Sequence, residues 1–369
     1  MGGGSIVQLL LDVPAGHIMD RYGYRLFLKV TTITFGLAAV CYMFGLTQFT
    51  FILSFIIGTF GWLFFGPGIN AYALSHATKG NAGRFMSLKD VSGSIGVVLS
   101  SIALPFIFLL SPDNIGYIVF VLFVCSLIGL MFSPKDHERV HHTNMKIETH
   151  HHYIKRSFIT ETWRALRRLN PASGMLLLSS VAGATFYGAI WFVVPLVLSH
   201  QANNGWLGIG LGIFDFAVIT LGFILGNIAD RLNRRKLVFT GLLVFSVSAM
   251  LAGLDFGWLF LLFGFLATTG DEMASLSLWS WLHTLDKDHA NDGAVSGVVN
   301  FFNDAGWAIG PIMAGVMYGV VGPSWTIVIA AAPIFIVWIV YQFVMHRHAP
   351  HSLPAHAIPA KPHRPRHRS

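Results

Sequence analysis

Apolar residues along this chain come in long unbroken runs rather than in amphipathic stripes. Phe51 to Phe65 carries no charge, and neither does Met175 to Leu198. Apolar runs of about 18 or more residues predict membrane-spanning helices. A helix suits lipid because it satisfies every backbone polar group within itself. The alternating segments of about ten residues that a membrane β-barrel needs are not found. Polar breaks divide the chain into eleven candidate spans, near 4–19, 26–46, 50–78, 83–111, 114–133, 172–199, 206–229, 236–253, 256–284, 293–320 and 323–346. A polar connection, Pro134 to Pro171, separates the fifth from the sixth. A tail rich in Pro, His and Arg, Arg347 to Ser369, follows the last and reads as disordered. The expected fold class is therefore all-α and polytopic.

Composition strengthens this picture. Of 369 residues, 54% are apolar and 11% charged, and the mean hydropathy is +0.63. Soluble domains carry about 25% charged residues, so this chain lacks the charge for an ordinary water-facing surface. Cys41 and Cys125 both lie in apolar runs and read as small packing residues rather than a disulfide or metal pair.

The 24 Lys and Arg residues test the span map. If the spans alternate in direction, every one falls on the same side, in the loop at 20–29, the segment 79–89, the connection, the loop at 231–236, Lys287 and the tail. The opposite loops, near 47–49, 112–114, 200–205, 254–257 and 321–323, contain none. Excess positive charge marks the cytoplasmic face, so the C-terminus is expected there. This rule accounts for the pI near 9.5 better than nucleic-acid binding does. Within the connection, Ile154, Phe158, Trp163, Leu166 and Leu169 interleave with Lys155, Arg156, Arg164, Arg167 and Arg168. That spacing predicts a basic amphipathic helix on the cytoplasmic leaflet.

The chain also repeats itself. Gly16-His-Ile-Met-Asp20-Arg21-Tyr-Gly23-Tyr-Arg25 returns 210 residues later as Gly226-Asn-Ile-Ala-Asp230-Arg231-Leu-Asn233-Arg234-Arg235. A second echo, at an offset of 214, matches Ala82-Gly83, Lys89-Asp90 and Ile95-Gly96 to Ser296-Gly297, Asn303-Asp304 and Ile309-Gly310. Two halves of like topology are what parallel-repeat transporters contain.

The Gly-x-x-x-Asp-Arg-x-Gly-x-Arg loop resembles the signature loop of the major facilitator superfamily, intact in the first half and with Asn233 in place of the later glycine in the second. The resemblance covers 1–346 and implies twelve helices in two pseudo-symmetric bundles. Placed on that pattern, 1–133 is an N-terminal bundle carrying helices two to six, 134–171 a cytoplasmic linker, 172–346 a C-terminal bundle carrying helices seven to twelve, and 347–369 the tail. Eleven of twelve helices are then seen, and the first is expected to be missing.

The resemblance further implies that Asp20 and Asp230 bond to neighbouring helix ends and hold one conformation of an alternating-access cycle. Physically, Gly16 and Gly226 allow close helix approach, while Gly23 permits a tight turn and Asn233 tolerates a left-handed one. Arg21, Arg25, Arg231, Arg234 and Arg235 complete the two loops. The segment Gly306-Trp-Ala-Ile-Gly310-Pro311-Ile-Met-Ala-Gly315 is similar to an export motif of the superfamily and predicts close helix packing with a kink. The arginine that many proton-coupled exporters carry in helix four has no counterpart in 50–78.

Ionisable residues inside spans are costly and usually face a cavity or a partner. By linear position the deepest are Asp90, Asp215, Asp271, Glu272 and Asp304, with Asn303 beside the last. Asp12 lies nearer the cytoplasmic face and reads as structural or gating. Lys89 adjoins Asp90, but neighbouring helical side chains diverge by about 100°, so no pairing is expected between them. Asp271 and Glu272 are candidate proton-coupling sites. Phe186, Tyr187, Trp191, Trp279 and Trp281 are candidate cavity aromatics.

The expected function is secondary transport of a small solute by a monomer in the plasma membrane. ATP is not the expected energy source, because no Gly-x-x-x-x-Gly-Lys-Ser/Thr occurs. Coupling to protons is expected, and no cofactor, metal or nucleic acid. Alternatives are a transport-inactive receptor of the same fold, or a metal carrier using the histidines of the connection and tail. Without Gly-x-Ser-x-Gly, an enzyme is not expected.

Overall fold

In the computed structural model, the described residues are 2–45, 47–77, 80–110, 115–131, 171–199, 204–254, 256–285 and 292–347. All of the regular structure among them is helical. In chain order the helices are α1 (Gly2–Tyr22), α2 (Tyr24–Met43), α3 (Gln48–His76), α4 (Ala82–Leu110), α5 (Ile115–Met131), α6 (Pro171–Ser199), α7 (Asn204–Arg231), α8 (Arg234–Ala252) and α9 (Trp258–Leu285). A final run, Asp292–Arg347, is divided by non-helical backbone at Gly322 (φ 80°, ψ 172°) into α10 before it and α11 after it. These eleven helices match the eleven runs read from the sequence. From α1 to α9 they have 17 to 29 residues, the lengths that a bilayer core of about 30 Å requires at 1.5 Å per residue. The predicted amphipathic helix, most of the histidine-rich connection and the tail lie outside the described residues.

Breaks between helices have identifiable local causes. Gly23 takes a positive φ of 83° between α1 and α2, a conformation glycine adopts without a Cβ penalty. Thr47 caps α3 in a reciprocal capping box with Thr50. Asn233 does not use the left-handed turn that it could tolerate: at φ −67°, ψ 102° it is the N-cap of α8, its side chain accepting from the Arg235 N–H. A side-chain acceptor satisfies the orphan donors of the new helix, so the second loop turns without a glycine.

Packing follows two rules at once. Large apolar side chains such as Phe49, Leu99, Trp258, Val320 and Trp325 stand exposed on the outside, as a lipid-facing surface requires. Inside the second half, Phe186, Phe245 and Phe260 are almost wholly buried, and Phe186 meets Tyr187, Phe214 and Phe245 edge-on. The first half has a smaller described cluster around Met19, Phe27 and Ala71. The halves meet where α4 packs on α7 and where α1 packs on the last helical run, leaving a space between them.

Candidate functional site

The contact between α4 and α7 begins at the end of the bundle that carries the basic loops. A Cβ added at Gly226 would stand 2.7 Å from the Ser87 Cβ and 2.8 Å from the Gly83 carbonyl oxygen. The two backbones touch here because neither Gly83 nor Gly226 has a side chain. One turn on, Asp230 reaches back across the same contact. Its Oδ1 accepts from the Gly83 N–H at 2.8 Å and its Oδ2 from the Arg84 N–H at 3.1 Å. Those are free donors of the first turn of α4, where the helix dipole favours an anion. The Ser280 hydroxyl of α9 donates to the same carboxylate at 3.2 Å.

The remaining loop residues are less concentrated. Gly16 is buried, while the side chains of Asp20 and Arg21 lie outside the described residues. Arg231 is exposed. Arg235 holds its guanidinium 5.9 Å from the Trp281 ring centre and accepts a hydrogen bond at its carbonyl from the Tyr341 hydroxyl at 2.9 Å. Arg25 and Arg234 are half-buried and partnered. Trp281 therefore belongs to this end of the bundle, and Phe186 to the core of the second half.

Above this closed contact lies a cavity of about 950 Å³ walled by both halves. The first half contributes α3 and α4, and the second contributes α6, α7, α9 and α10. Among its lining residues are Asp90, Asp215, Asp271, Glu272, Asn303, Tyr187, Trp191 and Trp279, all singled out from the sequence. Asp304 is not among them. It lies instead close to the Asp12 carboxyl of α1, a second contact between the halves that linear position did not reveal.

Polar links cross the cavity. Asn70 donates from Nδ2 to the Asn300 Oδ1 at 3.4 Å, joining α3 to α10. Lys89 donates to the Asn70 Oδ1 at 3.0 Å. Lys89 also pairs with Asp90 at 2.6 Å, which corrects the expectation that neighbouring side chains diverge too far to meet. The four-carbon lysine stem is long and flexible enough to bend back over its own helix. The Ser94 hydroxyl donates to the Asp215 Oδ1 at 2.7 Å, a further bond between α4 and α7. Tyr187 donates to the Thr268 hydroxyl at 3.5 Å and stands close to Asp271. Asn70, Ser94, Thr268 and Asn300 did not stand out in the sequence beside the carboxylates. Single amides and hydroxyls inside apolar runs were the available signal.

The export-like segment of α10 packs on α6. A Cβ at Gly306 would come within 2.5 Å of the Val181 carbonyl oxygen and 2.6 Å of the Ala184 Cβ, and one at Gly310 would overlap the Thr185 carbonyl oxygen. Pro311 fits against Gly188. Gly315 is exposed and meets only Phe192, at 3.6 Å, so it takes no part in the close approach.

The sequence profile of the Major Facilitator Superfamily matches residues 1–311 and 205–367. The chain belongs to the major facilitator superfamily. Its fold is similar to that of the human organic anion transporter MFSD10 (TETRAN), with a TM-score of 0.75 at 14% identity, covering 92% of this chain and 82% of that one. It is also similar to a single-residue variant of the Escherichia coli fucose:proton symporter FucP, with a TM-score of 0.67 at 13% identity, covering 92% of this chain and 90% of that one. No curated protein matches it by sequence. At these identities the solved structures establish the fold, and with the family they make this a multi-pass membrane transporter.

Proposed function

We propose that this superfamily member is a secondary active carrier that moves a small organic solute by alternating access, coupled to protons. It does no covalent chemistry. The basic loops face the cytoplasm of a plasma-membrane protein, acting as a monomer, so the contact at Gly83 and Gly226 is a closed cytoplasmic gate. The observation that carries this reading is the cavity between the halves, whose walls are joined by bonds that can break and reform. Asp230 on the α4 N-terminus, Ser94 on Asp215 and Asn70 on Asn300 are each weak enough to exchange with water during a cycle. Asp271 and Glu272 are the coupling groups, since both line the cavity among apolar helices. A fucose:proton symporter among the similar folds is in keeping with this coupling.

The test is solute uptake into vesicles containing the purified chain, with and without an imposed proton gradient. A gradient-dependent flux that loses its pH dependence in Asp271→Asn and Glu272→Gln is expected. Absence of flux across a broad solute panel would favour a receptor of the same fold.

A further inference from the structure

Lys89 of α4, Asn70 of α3 and Asn300 of α10 form one hydrogen-bonded chain in the cavity wall. The Lys89 ammonium donates to the Asn70 Oδ1 at 3.0 Å, and the Asn70 Nδ2 donates to the Asn300 Oδ1 at 3.4 Å. Only the second bond joins the two halves, and at that length it is weak. A side-chain amide can turn over and exchange its donor and acceptor ends. An ammonium cannot, because it has three donors and no acceptor. Lys89 therefore fixes which end of Asn70 meets α4, and the amide nitrogen is left to face Asn300.

The far end of the chain is seated as well. A Cβ added at Gly66 would stand 2.6 Å from the Asn300 Nδ2 and 3.7 Å from its Oδ1. Gly66 lies one turn before Asn70 on the same face of α3. The Asn300 amide thus rests with its nitrogen against the glycine and its oxygen towards Asn70. Asn70 is buried, so a donor or acceptor misdirected there would go unsatisfied, which is costly. The chain also has a definite depth. Lys89 is about 9 Å beyond Gly83 along α4, which puts the link inside the cavity, behind the contact that Asp230 makes with the start of that helix.

We propose that Lys89 is the positioning residue of a second, inner gate: it sets the Asn70 amide so that α3 holds Asn300 of α10 and closes the cavity floor behind Asp230. This rests on the carrier reading above and deepens it, giving the closed end two layers. The effect of Lys89 on closure passes through Asn70. Without the ammonium, Asn70 is free to turn its oxygen on the Asn300 oxygen, and the inner layer loosens.

The test reads how often the closed end opens. Ser87 is wholly buried against Gly226 of α7, and its hydroxyl has no hydrogen-bond partner. Ser87→Cys therefore places a thiol in the contact without removing a bond. With Cys41 and Cys125 changed to serine, the rate at which a water-soluble maleimide labels that thiol in the purified full chain follows the open population. Every chain in the series also carries Asp90→Asn, so that Lys89→Met strands no carboxylate. Lys89→Met should speed labelling about two- to fivefold, the effect of one weak hydrogen bond. Asn300→Ala should do the same, and adding Lys89→Met to it should change the rate no further, because the path through Asn70 is already cut. A general loosening of the bundle would act equally in both backgrounds. An unchanged rate in Lys89→Met, or effects that multiply in the double variant, would overturn the proposal. The two readings fail separately. Solute flux with multiplying effects removes the inner gate and leaves the carrier, whereas coupled effects without flux of any solute do the reverse.

Discussion

Replacing Asp230 should open the closed end of the bundle, and the size of the effect can be worked from its bonds. The carboxylate accepts two backbone N–H groups of α4 and one hydroxyl of α9. Hydrogen bonds to charged groups contribute about 1.5–3 kcal/mol each, and the charge near a helix N-terminus adds about 0.3–1 kcal/mol. In Asp230→Asn, one amide oxygen can still accept from Gly83, but the amide nitrogen then faces the Arg84 N–H. Loss of that bond together with the charge costs about 2–3 kcal/mol, or a factor of roughly 30–150 in the open-to-closed ratio. An open form populated at about 1% would rise to between roughly a quarter and three-fifths. Asp230→Ala removes all three acceptor contacts and should do more. The assay is a spin-label distance measurement between Lys29→Cys and Lys236→Cys, both exposed at the basic end, after Cys41 and Cys125 have been changed to serine. The wild-type pair should give one dominant short distance and the variants a second, longer one. An unchanged distribution in Asp230→Ala would refute the latch, because the bonds would then contribute nothing to closure.

Other substitutions probe separate parts of the same architecture. Gly306→Ala forces a Cβ against the Val181 carbonyl and Ala184 and should cost about 1–3 kcal/mol, whereas Gly315→Ala, in ordinary contact with Phe192, should stay within about 0.5 kcal/mol; thermal unfolding in detergent separates them. Lys89→Met strands Asp90 and should lower stability, while adding Asp90→Asn should recover much of the loss, so a double-mutant cycle with no coupling would contradict the pair. The neighbouring carboxyl groups of Asp12 and Asp304 can bond to each other only through a proton shared between two acceptor groups. Asp304→Asn supplies a permanent donor and should make the spacing of α1 and α10 insensitive to pH, measured by the same spin-label method, whereas Asp304→Leu should lose the contact.

Much of the architecture was legible in the sequence. Lipid exacts a one-dimensional signature: each span must be apolar and long enough, and each loop must be polar, so helix number follows from local composition. The repeated Gly-x-x-x-Asp-Arg loop carried the family because a close helix approach, an acid and a tight turn need those residue types at fixed spacing. Gly23 reads the same way in sequence and structure. Asn233 does not, because asparagine can satisfy a turn either by backbone conformation or by capping, and only the geometry of the following helix chooses between them.

The cavity side chains were legible as rare polar residues in apolar runs, but their partners were not. Whether Lys89 bends back to Asp90, and whether Asp304 faces the cavity or Asp12, depend on helix rotation and on side chains far away in sequence. The sequence by itself thus determined that the chain is a helical membrane protein of this superfamily, because burial in lipid acts residue by residue along each span. Only the tertiary structure decided which polar groups meet. Pairing energy depends on distances of about 3 Å across helices, and apolar runs with the same composition allow many such rotations.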